Sequence, residues 1–128
     1  MYYYQSVVRP VLEYACPSWH SSLTKEQTKL LEDVQRRALQ IIVGNVPYDE
    51  ACRTFNIPPL ADRRRELSGL FFRRILNDKK NVIRYLLPAK RDAELTARLR
   101  SARQYPTICS RTTRYRNSFI VFGLNHLQ

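Results

Sequence analysis

Residues 24–44 read TKEQTKLLEDVQRRALQIIVG and predict the helix around which the fold is organised. Thr24 and Gln27 have the spacing of a capping box, in which two side chains satisfy free backbone N–H groups at a helix start. Gly44 supplies the left-handed residue that commonly ends a helix. At about 100° per residue, the apolar residues between them form one stripe, which we expect to be buried. The stripe consists of Leu30, Leu31, Val34, Ala38, Ile41 and Ile42.

Other segments of the chain also have helical patterns and must supply the surface that this stripe needs. Residues 2–15 predict a helix that Pro10 either kinks or divides in two. Residues 16–22 predict a loop, because Pro17 disfavours helical geometry at Cys16. Further helices are predicted at 48–55, 60–76, 82–87 and 118–127, and one or two helical turns at 95–100.

The second strong helix, at residues 60–76, has apolar residues on more than one side. Leu60, Leu67, Leu70, Phe71 and Ile75 form its main stripe, while Phe72 and Leu76 lie on the far side. Gly69, in the middle of the helix, costs about 1 kcal/mol relative to alanine, so we expect a neighbour to approach closely there.

These patterns predict an all-α fold, with an irregular helical bundle at 1–87, a basic and mostly mobile segment at 88–117, and a docked C-terminal helix at 118–128. The chain has 128 residues, enough for one domain or part of a larger protein. Its three glycines argue against a β-rich fold with many tight turns. An apolar pattern that begins almost at Met1 suggests a segment cut from a longer protein.

The charge of the chain is unevenly distributed. The formal net charge is +11, of which residues 1–50 contribute −1 and residues 51–128 contribute +12. Such an asymmetry favours a polyanionic partner for the basic part. Nucleic acid is the first candidate, an acidic protein surface the second, and an anionic membrane surface the third.

Cysteine content and hydropathy favour an intracellular protein, nuclear or cytoplasmic. Cys16, Cys52 and Cys109 are widely spaced and contain no CxxC pair, so reduced thiols are expected. No apolar run approaches the roughly 20 residues of a membrane span. The N-terminus, MYYYQSVV, lacks the basic and apolar regions of a secretory signal.

No motif for catalysis, a metal or a cofactor stands out. GxSxG, GxxxxGK[ST] and GxGxxG are all missing from the sequence. The pair Glu32-Asp33 is expected on a solvated helix face, and Asp49-Glu50 in a helical first turn, where negative charge is favourable. Cys16 and His20 do not have the spacing of a zinc finger. A hydrolase or nuclease with dispersed metal ligands remains as an alternative.

The basic residues of the second half, interleaved with Tyr105 and Tyr115, are the candidate site. Arginine grips phosphate with two hydrogen bonds, and tyrosine rings stack on bases. The alternative is that helix arginines pair with acids of neighbouring helices; Arg63 and Arg64, at the edge of the apolar stripe, are the most open to it. The candidate nucleic-acid-binding residues are Arg63, Arg64, Arg65, Arg73, Arg74, Lys79, Lys80, Arg98, Arg100, Arg103, Arg111, Arg114 and Arg116.

Four stretches, in order, resemble the segment after the polymerase domain of LINE-type (non-LTR, jockey-like) retrotransposon reverse transcriptases. They are RPVLEYACPSWHSSL, KLLEDVQRRALQIIVG, IPPLADRRREL and RYRNSFIVFGLNHL. The most specific parts are Arg9-Pro10-x-Leu12-Glu13-Tyr14-Ala15, Trp19, the Leu31-x-x-Val34-Gln35-x-x-Ala38 spacing and Arg63-Arg64.

The resemblance implies a helical, thumb-like module that packs against template and primer behind the polymerase palm. The palm's catalytic Ala-Asp-Asp does not occur in this sequence, so no catalytic residue carries over. The implied function is a non-catalytic fragment that contacts an RNA–DNA or DNA duplex without sequence preference. The alternative is a protein–protein docking module, in which Phe72 and Leu76 contact the missing palm or another partner.

Overall fold

The computed structural model describes residues 1–98, 100 and 103–127, apart from the side chain of Leu95. Helices are the only regular elements within those ranges, so the fold is all-α, as predicted. The elements in chain order are a π-helix (Tyr4–Val8), α1 (Arg9–Glu13), α2 (Cys16–Trp19), a 3-10 helix (His20–Ser22), α3 (Lys25–Val43), α4 (Tyr48–Thr54), α5 (Leu60–Asn77), a 3-10 helix (Val82–Leu86), α6 (Ala93–Arg98), α7 (Thr113–Arg116) and α8 (Phe119–His126).

The chain forms two compact units, Met1–Ser68 (the N-terminal unit) and Gly69–Gln128 (the C-terminal unit). The boundary falls inside α5, whereas composition placed the end of the bundle at residue 87. Leu99, in the helical turn predicted at 95–100, and Gln128, in the predicted terminal helix, lie outside the described residues. Within the described ranges, every helix is too short or too polar to cross a membrane.

The N-terminal unit begins with a helical stretch whose winding changes near Pro10. The π-helix leads directly into α1, and Pro10 lies in the first turn of α1. The chain then turns at Ala15, which has a left-handed φ of 49°. The loop predicted at 16–22 is wrong, because Pro17 likewise fits the first turn of α2.

Helix α3 has the predicted ends. The Thr24 hydroxyl accepts a hydrogen bond from the Gln27 N–H at 3.2 Å, and the Gln27 side chain accepts one from the Thr24 N–H at 3.0 Å. These two bonds complete the capping box. Gly44 follows the helix with a positive φ of 82°.

The predicted buried face of α3 is wrong. Its buried residues are Gln35 and Leu39. Four members of the apolar stripe, Leu30, Val34, Ile41 and Ile42, are exposed. The helix therefore turns a largely different side toward the core and leaves most of its apolar stripe toward solvent.

A buried hydrogen-bond network explains why Gln35 faces the core. Its side-chain oxygen accepts a hydrogen bond from the Tyr4 hydroxyl, and its amide donates to the Tyr48 hydroxyl at 2.8 Å and to the Pro58 carbonyl at 3.2 Å. Burial raises the pKa of Tyr4 to about 12, so its hydroxyl stays a donor at neutral pH. The apolar residues Leu39, Ala51, Cys52 and Ile57 pack with Tyr4 as the core of this unit.

Glu32 connects this network to the start of α5. Its carboxylate accepts hydrogen bonds from the Leu60 N–H at 3.0 Å and the Ala61 N–H at 3.2 Å, and another from the Tyr48 hydroxyl. Leu60 and Ala61 open α5, and their N–H groups have no partner within that helix. The prediction that Glu32 lies on a solvated face is therefore wrong, since it caps a neighbouring helix.

The C-terminal unit packs around aromatic side chains. Phe72, Tyr105 and Leu124 are buried together, and Leu87, Ile108 and Phe119 pack against them. Helix α8 is docked on this core, as the predicted terminal helix was expected to be. The Asn125 side chain donates to the Ile108 carbonyl and accepts from the Ile108 N–H, both at 3.2 Å, and so fixes the segment before α7.

The two glycines of this unit have roles that differ from those expected. A methyl group on Gly69 would lie 4.0 Å from its nearest neighbour, the Leu127 side chain, which is ordinary contact. A methyl group on Gly123 would lie 2.4 Å from the ring of Phe72. The close approach predicted at Gly69 therefore occurs at Gly123 instead.

The basic segment at 88–117 contains more regular structure than a loop. Helix α6 covers Ala93–Arg98, where a turn was predicted, and α7 covers Thr113–Arg116. The Thr112 hydroxyl caps α7 by accepting a hydrogen bond from the Tyr115 N–H at 3.3 Å. Since α7 directly precedes α8, its arginines are attached to the folded part of the unit.

Candidate nucleic-acid interface

The positive charge is concentrated in the C-terminal unit. The N-terminal unit contains nine lysines and arginines against eight acids, whereas the C-terminal unit contains 13 against three. Their net charges are therefore +1 and +10. The division between the compact units thus separates a nearly neutral body from a strongly basic one.

The two units also differ in how many of their charged side chains form ion pairs. The ion pairs among the described residues all lie in the N-terminal unit, including Arg9–Glu13 at 2.8 Å and Arg63–Glu66 at 2.9 Å. In the described part of the C-terminal unit, no lysine or arginine lies within ion-pair distance of a carboxylate. Among the residues that the structure describes, the positive charge of this unit is therefore not engaged in ion pairs and is available to an external anion.

The predicted cluster Arg63-Arg64-Arg65 is divided by the fold. Arg63 is half-buried, donates to Glu66, and lies 3.5 Å from the Glu13 carboxylate. Arg64 is completely buried, with its guanidinium 5.5 Å from the centre of the Trp19 ring. Arg65 alone of the three is exposed. Arg63 thus pairs with an acid of a neighbouring helix, which was the alternative to phosphate binding. Arg64 is inaccessible to a phosphate.

The ten predicted residues of the C-terminal unit are all exposed. They occur at the end of α5 and the turn after it, at the end of α6 and beyond it, and on and before α7. In that order they are Arg73, Arg74, Lys79 and Lys80; Arg98, Arg100 and Arg103; and Arg111, Arg114 and Arg116. Arg103 is partly engaged, since it donates to the Asn125 carbonyl at 3.4 Å.

Aromatic contacts join segments that adjoin two of these groups. The ring of Phe119 lies 5.7 Å from Phe71 and 5.9 Å from Phe72, measured between ring centres. Phe119 follows Arg116 by three residues, and Phe72 directly precedes Arg73. The arginines of α7 and those of α5 are therefore carried by segments that pack against each other.

The two tyrosines predicted to stack on bases have different environments. Tyr105 is 3% exposed and belongs to the core, with the Lys90 ammonium 5.8 Å from its ring centre. Tyr115 is 53% exposed on α7, between Arg114 and Arg116. Of the two, Tyr115 is the residue that a base can reach.

Three residues of the C-terminal unit were missing from the predicted set: Lys90, which is exposed, Arg91, which is half-buried, and Tyr85. Lys90 and Arg91 line a groove with Thr96 and Gln104. Tyr85 is exposed on the 3-10 helix Val82–Leu86. Lys90 and Arg91 lie in the basic segment at 88–117, so their charge could have added them to the candidate site. Nothing in the local sequence pattern identifies Tyr85 as a candidate.

No metal site is assembled in the part of the chain that the structure describes. No three side chains among its His, Cys, Asp and Glu residues are grouped as metal ligands would be. Burial raises the pKa of the Cys16 and Cys52 thiols, which makes them poorer nucleophiles, while Cys109 is exposed. Burial and the nearby Arg64 lower the pKa of His20, so its imidazole is neutral at pH 7.

The fold and the charge distribution define an all-α protein with one basic unit. Comparison of the chain with protein-family models, curated proteins and solved structures finds no match in any of the three. The resemblance to LINE-type reverse transcriptases therefore stays a prediction.

Proposed function

We propose that this chain is a non-catalytic fragment of a LINE-type reverse transcriptase whose C-terminal unit contacts nucleic acid without sequence preference. The observation that carries the nucleic-acid part is the set of ten exposed lysines and arginines with no carboxylate partner among the described residues. The retrotransposon part rests on the sequence resemblance alone.

The proposed contacts are mainly to phosphates. One arginine guanidinium group donates two hydrogen bonds to one phosphate. Each such contact releases counterions from the nucleic acid, so the binding affinity falls steeply as the salt concentration rises. Phosphate contacts position a protein without reading the bases. Tyr115 adds a stacking surface that accepts any base. An RNA–DNA or DNA duplex is the expected ligand, as the resemblance implies.

The test is fluorescence anisotropy of the full chain with labelled RNA–DNA hybrid, DNA duplex and single strands, over a salt series from about 50 to 200 mM. We expect binding at low salt that is indifferent to sequence. The double variant Arg73→Gln/Arg74→Gln removes two exposed charges from α5. It should weaken binding by about tenfold and lower the salt slope by about 1 for each arginine that contacts a phosphate.

The matched control is Lys25→Gln/Lys29→Gln, which removes two exposed charges from α3 in the N-terminal unit. It should leave the affinity within about twofold and the salt slope unchanged. Failure to bind at the lowest salt, or an equal loss in the control, would contradict the proposal. Cleavage of the probe that depends on Mg²⁺ would instead support the nuclease alternative.

The docking alternative loses the surface that was predicted for it. Phe72 is completely buried, and Leu76 packs against the core of the C-terminal unit. Docking of the missing polymerase palm on those two side chains would require that core to open. Exposed apolar residues lie on α3 and on the first helical stretch, and in the C-terminal unit at Leu70, Val82 and Leu86.

A further inference from the structure

Helix α3 carries an apolar line that nothing in the described part of the chain covers. Leu30 is 66% exposed, Val34 46% and Ile41 71%. They line one groove together with Ala38, Asp33 and Arg37. Single exposed apolar residues are common on protein surfaces, but a continuous line along one helix marks a place of association.

The spacing of this line is that of a two-helix seam. Val34 follows Leu30 by four residues, and Ile41 follows Val34 by seven, so the three occupy d, a and a positions of a heptad pattern, and Arg37 occupies the d position between Val34 and Ile41. On a helix, the three apolar positions lie within about 40° of one another. At about 1.5 Å per residue, the 19 residues of α3 extend over roughly 28 Å, which is long enough to present the whole line to a second helix.

The charges beside the line distinguish between possible partners. Asp33 and Arg37 lie on the same edge of the groove, one helical turn apart. Arg37 donates to the Gln40 side chain at 3.3 Å, and no carboxylate lies within ion-pair distance of it among the described residues. Asp33 accepts a hydrogen bond from the Arg36 guanidinium on its own helix. The edge thus has a paired acid toward the N-terminus and an available cation toward the C-terminus.

This pattern is complementary to itself in one orientation. A two-fold axis perpendicular to two antiparallel helices brings the same edge of each together, with the direction of the chain reversed. Asp33 of each copy then lies opposite Arg37 of the other, which gives two equivalent ion pairs beside the Val34 contact. In a parallel pair with the same register, Asp33 lies opposite the uncharged Ala38, and Arg37 of one copy lies opposite Arg37 of the other, which is repulsive. We propose that a second copy of this chain occupies the groove as an antiparallel partner of α3.

The test measures the mass of the full chain by sedimentation over a concentration range of about 1 µM to 1 mM, since a seam of this size gives a weak to moderate dimer. Val34→Glu places like charges at the centre of the seam and should weaken the dimer by at least about 100-fold. The control is Val11→Glu, which changes another exposed valine, on α1, that is 73% exposed. It should leave the dimer unchanged. Circular dichroism establishes that each variant retains its helices.

A charge exchange tests the orientation. Asp33→Lys and Arg37→Glu each convert the two ion pairs into two repulsive contacts, and each should weaken self-association by about tenfold or more. The double variant Asp33→Lys/Arg37→Glu should regain it. A mixture of the two single variants should form a heterodimer, because every charge then lies opposite its complement.

The results that overturn the proposal are equally specific. A wild-type chain that stays monomeric at the highest concentration overturns it. So does a dimer that Val34→Glu leaves intact, since the seam then lies elsewhere. Charge variants that neither the double variant nor the mixture rescues would exclude the antiparallel arrangement of α3.

Discussion

The guanidinium of Arg64 is completely buried. None of its three nitrogens has a hydrogen-bond partner among the described residues, and burial lowers its pKa. Removing a charge from water costs several kcal/mol even after the protein relaxes. The cation–π contact with Trp19 returns about 2 kcal/mol. The charges of Glu32 and Glu13 also favour the guanidinium, but burial has the larger effect and lowers its pKa, so we expect Arg64 to destabilise the N-terminal unit.

Replacing this residue with an apolar one should stabilise the protein. We expect Arg64→Met to raise the free energy of unfolding by about 1–3 kcal/mol, because methionine fills similar space without a charge. Urea unfolding followed by circular dichroism measures this. Arg65→Met, at the adjacent exposed position, should stay within about 0.5 kcal/mol. Nucleic-acid affinity should not change in Arg64→Met, and a clear loss of stability there would mean that the guanidinium has an acceptor.

The two helical glycines of the C-terminal unit allow a matched comparison. Gly123→Ala would place a methyl group 2.4 Å from the Phe72 ring, which is fully buried and cannot move aside. Overpacking costs up to about 3 kcal/mol of stability, whereas alanine gains about 1 kcal/mol in helix propensity over glycine. We therefore expect the free energy of unfolding to fall by up to about 2 kcal/mol. Gly69→Ala meets only ordinary contact and should gain up to about 1 kcal/mol. Thermal unfolding compares the two, and equal effects would contradict the packing described at Gly123.

Among the elements, α3 and α5 are connected by one carboxylate. Glu32 satisfies the Leu60 and Ala61 N–H groups and the Tyr48 hydroxyl at once. In Glu32→Gln, one carboxylate oxygen becomes an NH₂ group, which cannot accept a hydrogen bond, so one of the three donors loses its partner. We expect the free energy of unfolding to fall by about 1–3 kcal/mol. The matched control is Glu66→Gln, which changes an exposed ion pair with Arg63 and should cost less than about 1 kcal/mol. Similar losses in urea unfolding of both variants would contradict the capping role.

Helix α3 also shows what periodicity can and cannot predict. Its start and end were predictable, because Thr24, Gln27 and Gly44 act through bonds within a few residues of themselves. Its buried face was not. Gln35 is buried because Tyr4, Tyr48 and Pro58, which are distant in sequence, satisfy its amide. Hydrophobic periodicity treats an amide as solvent-facing and contains no information on such partners.

For the whole molecule, the imbalance of charge was predictable because charges simply add along a sequence. The accessible residues were harder to predict, since accessibility depends on tertiary packing. Arg64 and Tyr105 belong to the same kinds of residue as Arg65 and Tyr115, yet the first two are buried and the last two exposed. Tyr105 is buried because its ring packs with Phe72 and Leu124 in the core of the C-terminal unit.

The distribution of the three thiols has a practical consequence. Cys16 and Cys52 are buried in the N-terminal unit, while Cys109 is exposed in the C-terminal unit, two residues before Arg111. A maleimide fluorophore therefore attaches to the native chain at Cys109, because reagents reach exposed thiols first. The dye then sits within the basic unit, where its emission responds directly to an arriving polyanion, and no cysteine has to be added or removed.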